Sequence, residues 1–67
     1  MRYYVNKNTL PNGDHEVHTE TCSWLSDAEN RIYLGQFSSC YQTVREAKKH
    51  YAQSNGCYYC SNPCHTS

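Results

Sequence analysis

Apolar side chains fall in short, separate groups along the chain, and each group has its own period. Arg2 to Asn6 contains Tyr3-Tyr4-Val5, three strand formers in a row. From Asn6 to Asp14 the pattern lapses into Asn-Lys-Asn and then Leu10-Pro11-Asn12-Gly13-Asp14. Asn-Gly marks a turn, because glycine takes positive φ without steric cost. The turn predicts reversal into a second strand at about His15 to His18, giving a hairpin with a long loop. Trp24-Leu25 is the most apolar dipeptide of the first half and is placed in the core. Ser26-Asp27-Ala28-Glu29 predicts a short helical turn capped by Ser or Asp. Arg31 to Phe37 reads as a third strand. Ile32, Leu34 and Gln36 face one way and Tyr33 and Phe37 the other, with Gly35 between them as a bulge or a close backbone approach.

One segment changes period. Val44, Ala47, Lys48 and Tyr51 stand at i, i+3, i+4 and i+7, one stripe of a helix. Thr43-Val44-Arg45-Glu46 has the spacing of a capping box, so the helix is expected to start at Thr43 and run to about Gln53. The stem of Lys48 can flank the apolar stripe while its charge stays wet. Lys48, Lys49 and His50 suit the negative end of the helix dipole. Ser54-Asn55-Gly56 is the expected stop, with Gly56 in the left-handed conformation. The elements together predict a small α+β domain, residues 1–67. It would hold an antiparallel three-stranded sheet and one main helix packed near the C-x2-C turn that follows.

Composition shows why such a chain needs a staple. It has 67 residues, 37% hydrophobic, with seven Tyr but a single Phe and a single Trp. A domain this short buries too little surface to be stable on packing alone, and tyrosine wants a partner for its hydroxyl. Six basic residues balance six acidic ones. That balance weighs against phosphate backbones as the default partner, although Arg45, Lys48 and Lys49 make a local basic patch. No apolar run approaches the length of a membrane span, and Met1-Arg-Tyr-Tyr-Val-Asn lacks the apolar stretch of a secretory leader. The expected address is cytoplasmic, where clustered Cys act as metal ligands more often than as disulfides. Five Cys fit three on a metal and two elsewhere.

The staple is legible in two spacings. Cys57-Tyr58-Tyr59-Cys60 is a C-x2-C turn opened by Gly56, and His18-x3-Cys22 is a second ligand pair far upstream. His18, Cys22, Cys57 and Cys60 provide the four donors of a tetrahedral zinc site, one ion per chain. Three thiolates and an imidazole around a divalent ion leave a formal charge of minus one. No position remains for water or substrate, which favours a structural role. Such an ion contributes roughly 10–16 kcal/mol of apparent binding energy in zinc-finger peptides. Cys64 and His65 compete with His18 for the fourth position. His15 falls one strand period off the site and reads as a surface residue, and His50 reads as exposed on the helix. Cys40 reads first as a small buried hydrophobe. Its alternatives are pairing with Cys64, or a second site with Cys64 and His65.

The same pieces resemble a known family. His18-x3-Cys22, the strand Ile32-Tyr33-Leu34-Gly35-Gln36-Phe37, the phrase Thr43-Val44-Arg45-Glu46-Ala47 and Cys57-x2-Cys60 are similar to the zinc-binding domain at the N-terminus of the Ada DNA-repair proteins and its stand-alone relatives, some of which sit beside nuclease domains. The resemblance covers about two-thirds of the chain, with a longer segment between Cys22 and Cys57 than that family has. It implies the fold and the metal. It does not imply methyl transfer, because the methyl-accepting cysteine of the repair domain is replaced here by His18, and imidazole cannot play that thiolate role. The whole chain also looks like a short bacterial type with Asn12-Gly13-Asp14-His15-Glu16-Val17-His18 near the start and Cys64-His65-Thr66 near the end.

Three functions follow as expectations. The first is a non-enzymatic zinc module that meets another protein through exposed Tyr and the Lys48/Lys49 face. The second is nucleic-acid binding, with Arg31, Arg45, Lys48 and Lys49 on phosphate and Tyr58 and Tyr59 stacked on bases. The third, catalysis by Cys40 with His15 or His50 or thiol redox at Cys57-x2-Cys60, has no supporting spacing.

Overall fold

The computed structural model describes residues 1–66. Ser67 lies outside the described residues. Strand β1 (Arg2–Asn6) turns Tyr3 and Val5 inward and leaves Arg2, Tyr4 and Asn6 on the other face. It pairs antiparallel with β2 (His15–Thr19), Tyr4 opposite His18 and Val5 opposite Val17. The loop between them reverses at Gly13, φ 92°. Asn12 Oδ1 accepts the Asp14 amide at 2.9 Å there, a local turn typical of Asn. A 3-10 turn, Ala28–Asn30, leads into β3 (Arg31–Gln36) on the outer side of β1. Asp27 stands at its N-cap without a side-chain cap bond. The helix α1 covers Cys40–Ala47, and β4 covers Ser54–Gly56. A second 3-10 turn spans Asn62–Cys64.

The sheet departs from the three antiparallel strands that the sequence suggests. It has four strands in the order β3-β1-β2-β4, and β4 runs parallel to β2. A parallel neighbour needs a crossover, which β3 and α1 supply. Ser, Asn and Gly are poor strand formers, so β4 carries no local signal. Its residues are buried and held by the free edge of β2.

In β3 the pairing slips between Tyr3 and Tyr4. Tyr3 faces Gly35 while Tyr4 faces Tyr33, which leaves Leu34 as the extra residue. Gly35 has φ 130°, and a Cβ there would stand 3.2 Å from the Phe37 ring. The bulge shifts the alternation by one. Phe37 therefore packs on the core side with Ile32 and Leu34 rather than opposite them, its ring 6.5 Å from that of Tyr3.

The helix begins and ends earlier than the capping-box pattern suggests. Ser39, not Thr43, is the N-cap residue. Thr43 is fully buried inside the helix and donates its hydroxyl to the Ser39 carbonyl at 3.0 Å, while Glu46 pairs with Lys49 at 3.1 Å. The inward stripe is Cys40, Thr43 and Ala47. Helical bonding stops at Tyr51, whose amide reaches the Ala47 carbonyl at 2.9 Å. Ser54 then takes the Tyr51 carbonyl through its hydroxyl at 2.7 Å, and the chain is free to extend into β4. Gly56 is not a left-handed stop, since among the described residues only Gly13 and Gly35 have positive φ. Glycine is needed there for space: a Cβ would stand 2.8 Å from both Cys64 Cβ and the Ser61 carbonyl oxygen.

The core is thin: Tyr3, Val5, Val17, Cys40 and Ala47, flanked by Ile32, Leu34, Phe37, Val44, Tyr51 and Cys64. Cys40 is not a free thiol. It is joined to Cys64 in a disulfide that ties the start of α1 to the second 3-10 turn. Among the described residues no helix is long and apolar enough to cross a membrane.

Candidate metal centre

Parallel pairing of β2 with β4 explains how two distant ligand pairs meet. The register sets Val17 beside Gly56, so the next residues, His18 still within β2 and Cys57 just past β4, stand at one level. The Cys57 amide continues the ladder to the Val17 carbonyl at 3.1 Å. Beyond that point each strand curls into its own turn. The Cys22 amide closes on the Thr19 carbonyl at 3.1 Å, and the Ser61 amide closes on the Cys57 carbonyl at 2.9 Å.

The two turns face each other. Ligand atoms of His18, Cys22, Cys57 and Cys60 all lie within 4.8 Å of one another. Cys22 Sγ is 3.9 Å from Cys57 Sγ, and Cys60 Sγ is 3.9 Å from His18 Nδ1. Two sulfurs bound at about 2.3 Å to one tetrahedral zinc stand about 3.8 Å apart, so the spacing suits one ion. His18 and Cys57 are buried, and Cys22 and Cys60 are half-buried.

Backbone amides serve the sulfurs. Thr19 N–H points at Cys60 Sγ at 3.3 Å and Tyr59 N–H at Cys57 Sγ at 3.4 Å. Burial pushes the Cys57 thiol up to about 12 and also raises Cys22. Burial alone would raise Cys60 too, but the Thr19 amide, the Ser61 hydroxyl and the neighbouring thiols outweigh it and bring that group down. Cys60 is thus the thiol that ionises most readily. His18, with no exposed surface, is pushed down to about 4 by burial and is neutral at physiological pH, the form that binds metal.

The second nitrogen of His18 identifies its outer partner. Nδ1 faces the sulfurs, and Nε2 is buried without a hydrogen bond. Glu16 Oε1 lies 3.4 Å from it, close enough for attraction but off the line of a hydrogen bond. A carboxylate in that place is the usual orienting partner of a metal-bound imidazole. Sequence reasoning passed over Glu16, although a residue two before His18 on a strand shares its face. The Thr19 and Tyr59 amides leave no side-chain signal at all.

The rival ligands are placed elsewhere. Cys64 is in the disulfide, and His65 donates Nδ1–H to the Gly56 carbonyl at 3.0 Å. His15 stacks on Tyr51, ring centroids 3.7 Å apart, and bonds the Asn6 carbonyl at 2.9 Å. It is half-buried rather than a surface residue, and His50 is exposed. Trp24, expected in the core, is 61% exposed. The turn that starts at Cys22 carries it outward, where it stacks on Tyr59. No family model, curated protein or solved structure matches the chain.

Proposed function

We propose that the chain is a zinc-stapled interaction module. One ion would be held by His18 Nδ1 and the thiolates of Cys22, Cys57 and Cys60, and the surface would meet another protein. The observation that carries the reading is the convergence of the four donor atoms within 4.8 Å, on turns whose amides already point at sulfur. Four protein donors complete a tetrahedral shell and leave no place for substrate, which supports a structural ion over a catalytic one. The likeness to the Ada N-terminal domain extends the proposal to fold and metal only.

The test is metal analysis of protein purified without added metal, with folding followed by NMR before and after chelation. About one zinc per chain is expected, with loss of dispersed signals on its removal. His18→Ala should abolish stoichiometric binding, and His65→Ala should retain it. A folded, metal-free chain that takes up no zinc overturns the reading.

A further inference from the structure

We infer that Trp24, Tyr58 and Tyr59 form a platform, organised by the metal centre, that docks an arginine- or lysine-bearing segment of a partner protein. The inference rests on the metal reading above, because all three rings sit on the ligand turns.

The rings are 61%, 57% and 71% exposed. They do not lie scattered. Trp24 and Tyr59 stack with centroids 5.9 Å apart and planes 18° from parallel, and Tyr58 meets Tyr59 edge-on at 5.3 Å. Trp24 follows Cys22 by two positions, and both tyrosines stand between Cys57 and Cys60. The stack therefore joins two segments that are distant in sequence and meet through the four ligands. A contiguous exposed aromatic patch on a chain with so thin a core is a site for a partner rather than a stabilising feature.

Charge selects the partner. From His15 to Asn30 the chain carries Glu16, Glu20, Asp27 and Glu29 and no Lys or Arg, and from His50 to Thr66 it carries none of the four charged types. The centre itself, with three thiolates on a divalent ion, adds a further negative charge. Of the cations on or beside the neighbouring strands two are engaged, and Lys7 is exposed next to Asn6, whose side chain bonds the Trp24 carbonyl at 3.5 Å. Arg2 pairs with Glu20 at 3.9 Å. Arg31 lies 4.7 Å over the Tyr4 ring and donates to the Ser26 carbonyl at 3.2 Å. Arg45 and Lys48 line a separate groove with Tyr41 and Pro63. Open aromatic faces in a negative field attract guanidinium and ammonium groups, and Arg31 over Tyr4 shows the same contact within the chain. Phosphate would meet no free cation on these two segments.

The test is a titration of the zinc-loaded chain, followed by Trp24 fluorescence and amide NMR. The probes are a nine-residue Gly/Arg peptide, a Gly/Glu peptide of the same length and a nine-nucleotide oligothymidylate. The expected result is saturable shifts of the Trp24 indole and the Tyr58 and Tyr59 amides with the arginine peptide alone, weakening as salt is added. Tyr59→Ala should lower the affinity at least about fivefold, and Tyr59→Phe, which keeps the ring, should restore most of it. Zinc content is measured on the same samples. A zinc-loaded chain with no shifts, or with saturation by the oligonucleotide or the acidic peptide, overturns the platform and leaves the metal reading standing. A chain without zinc overturns the metal reading itself, and arginine-peptide binding by such a chain overturns the metal's organising part.

Discussion

His18 concentrates the chemistry of the site in one side chain. Its ring has no exposed surface, one nitrogen turned to the sulfurs and the other towards Glu16. Burial lowers its folded value from 6.5 to about 4, so the unfolded chain binds the proton more readily. Folding coupled to zinc uptake should then weaken as pH falls below 6.5, because the imidazole of the unfolded chain must first give up its proton. Zinc titrations followed by NMR between about pH 7.5 and 5 would measure it, and an affinity independent of pH over that range would contradict a neutral His18 donor. Glu16→Gln keeps the shape but removes the charge facing Nε2–H. It should weaken zinc binding by about tenfold in a competition titration against a chromophoric chelator, with the fold intact by NMR. The ligand residues were legible in the chain because H-x3-C and C-x2-C are local spacings. Trp24 was misplaced because hydropathy alone puts indole in a core, whereas the turn that starts at Cys22 carries it outward.

At the scale of elements, β4 matters most, and its sequence announces it least. Ser54, Asn55 and Gly56 offer no strand propensity and no apolar alternation. They extend because β2 has an open edge and because Asn55 is pinned. Its side chain donates to the Thr66 carbonyl at 2.7 Å and to Asp14 Oδ2 at 3.2 Å. Asp14 in turn accepts from Gln53 at 2.8 Å, and these bonds, Gln53 first, hold its carboxyl below the usual range. Gly56 marks the tightest approach. Gly56→Ala would place a methyl group 2.8 Å from Cys64 Cβ and from the Ser61 backbone, where neither can yield without moving the C-x2-C turn. The expected cost is about 1–3 kcal/mol, with weaker zinc binding. Denaturant midpoints and the same chelator competition would measure both, and an unchanged midpoint would contradict the close packing. The helix was legible in kind, since Val44 and Ala47 have helical spacing. Its ends were not, because Cys40 and Thr43 are drawn inward by packing and the disulfide rather than by a cap.

At the scale of the molecule, three apolar side chains of the core are fully buried among the described residues: Val5, Val17 and Ala47. So few cannot offset the entropy of ordering the chain by themselves. Two candidate staples flank β4, the cluster of His18, Cys22, Cys57 and Cys60 at its end and the Cys40–Cys64 disulfide across Gly56 from it. The bridged cysteines are 24 residues apart, and closing such a loop is worth about 3 kcal/mol in the unfolded chain. Replacing both with Ala should lower stability by roughly that amount. The zinc stoichiometry should be unchanged, because neither residue belongs to the four donors. A thermal melt and a metal assay on the double variant would check both statements, and loss of zinc would place the disulfide within the centre. By itself, the sequence determined two candidate ligand pairs, with His18, Cys64 and His65 still competing for one position, the first three strands and the need for a staple, because spacing, short-range alternation and chain length are local or global counts. Only the tertiary structure decided that β4 exists, that it runs parallel to β2, and that Cys40 meets Cys64. These depend on an open sheet edge and on side chains brought together from distant positions, which no window of sequence contains.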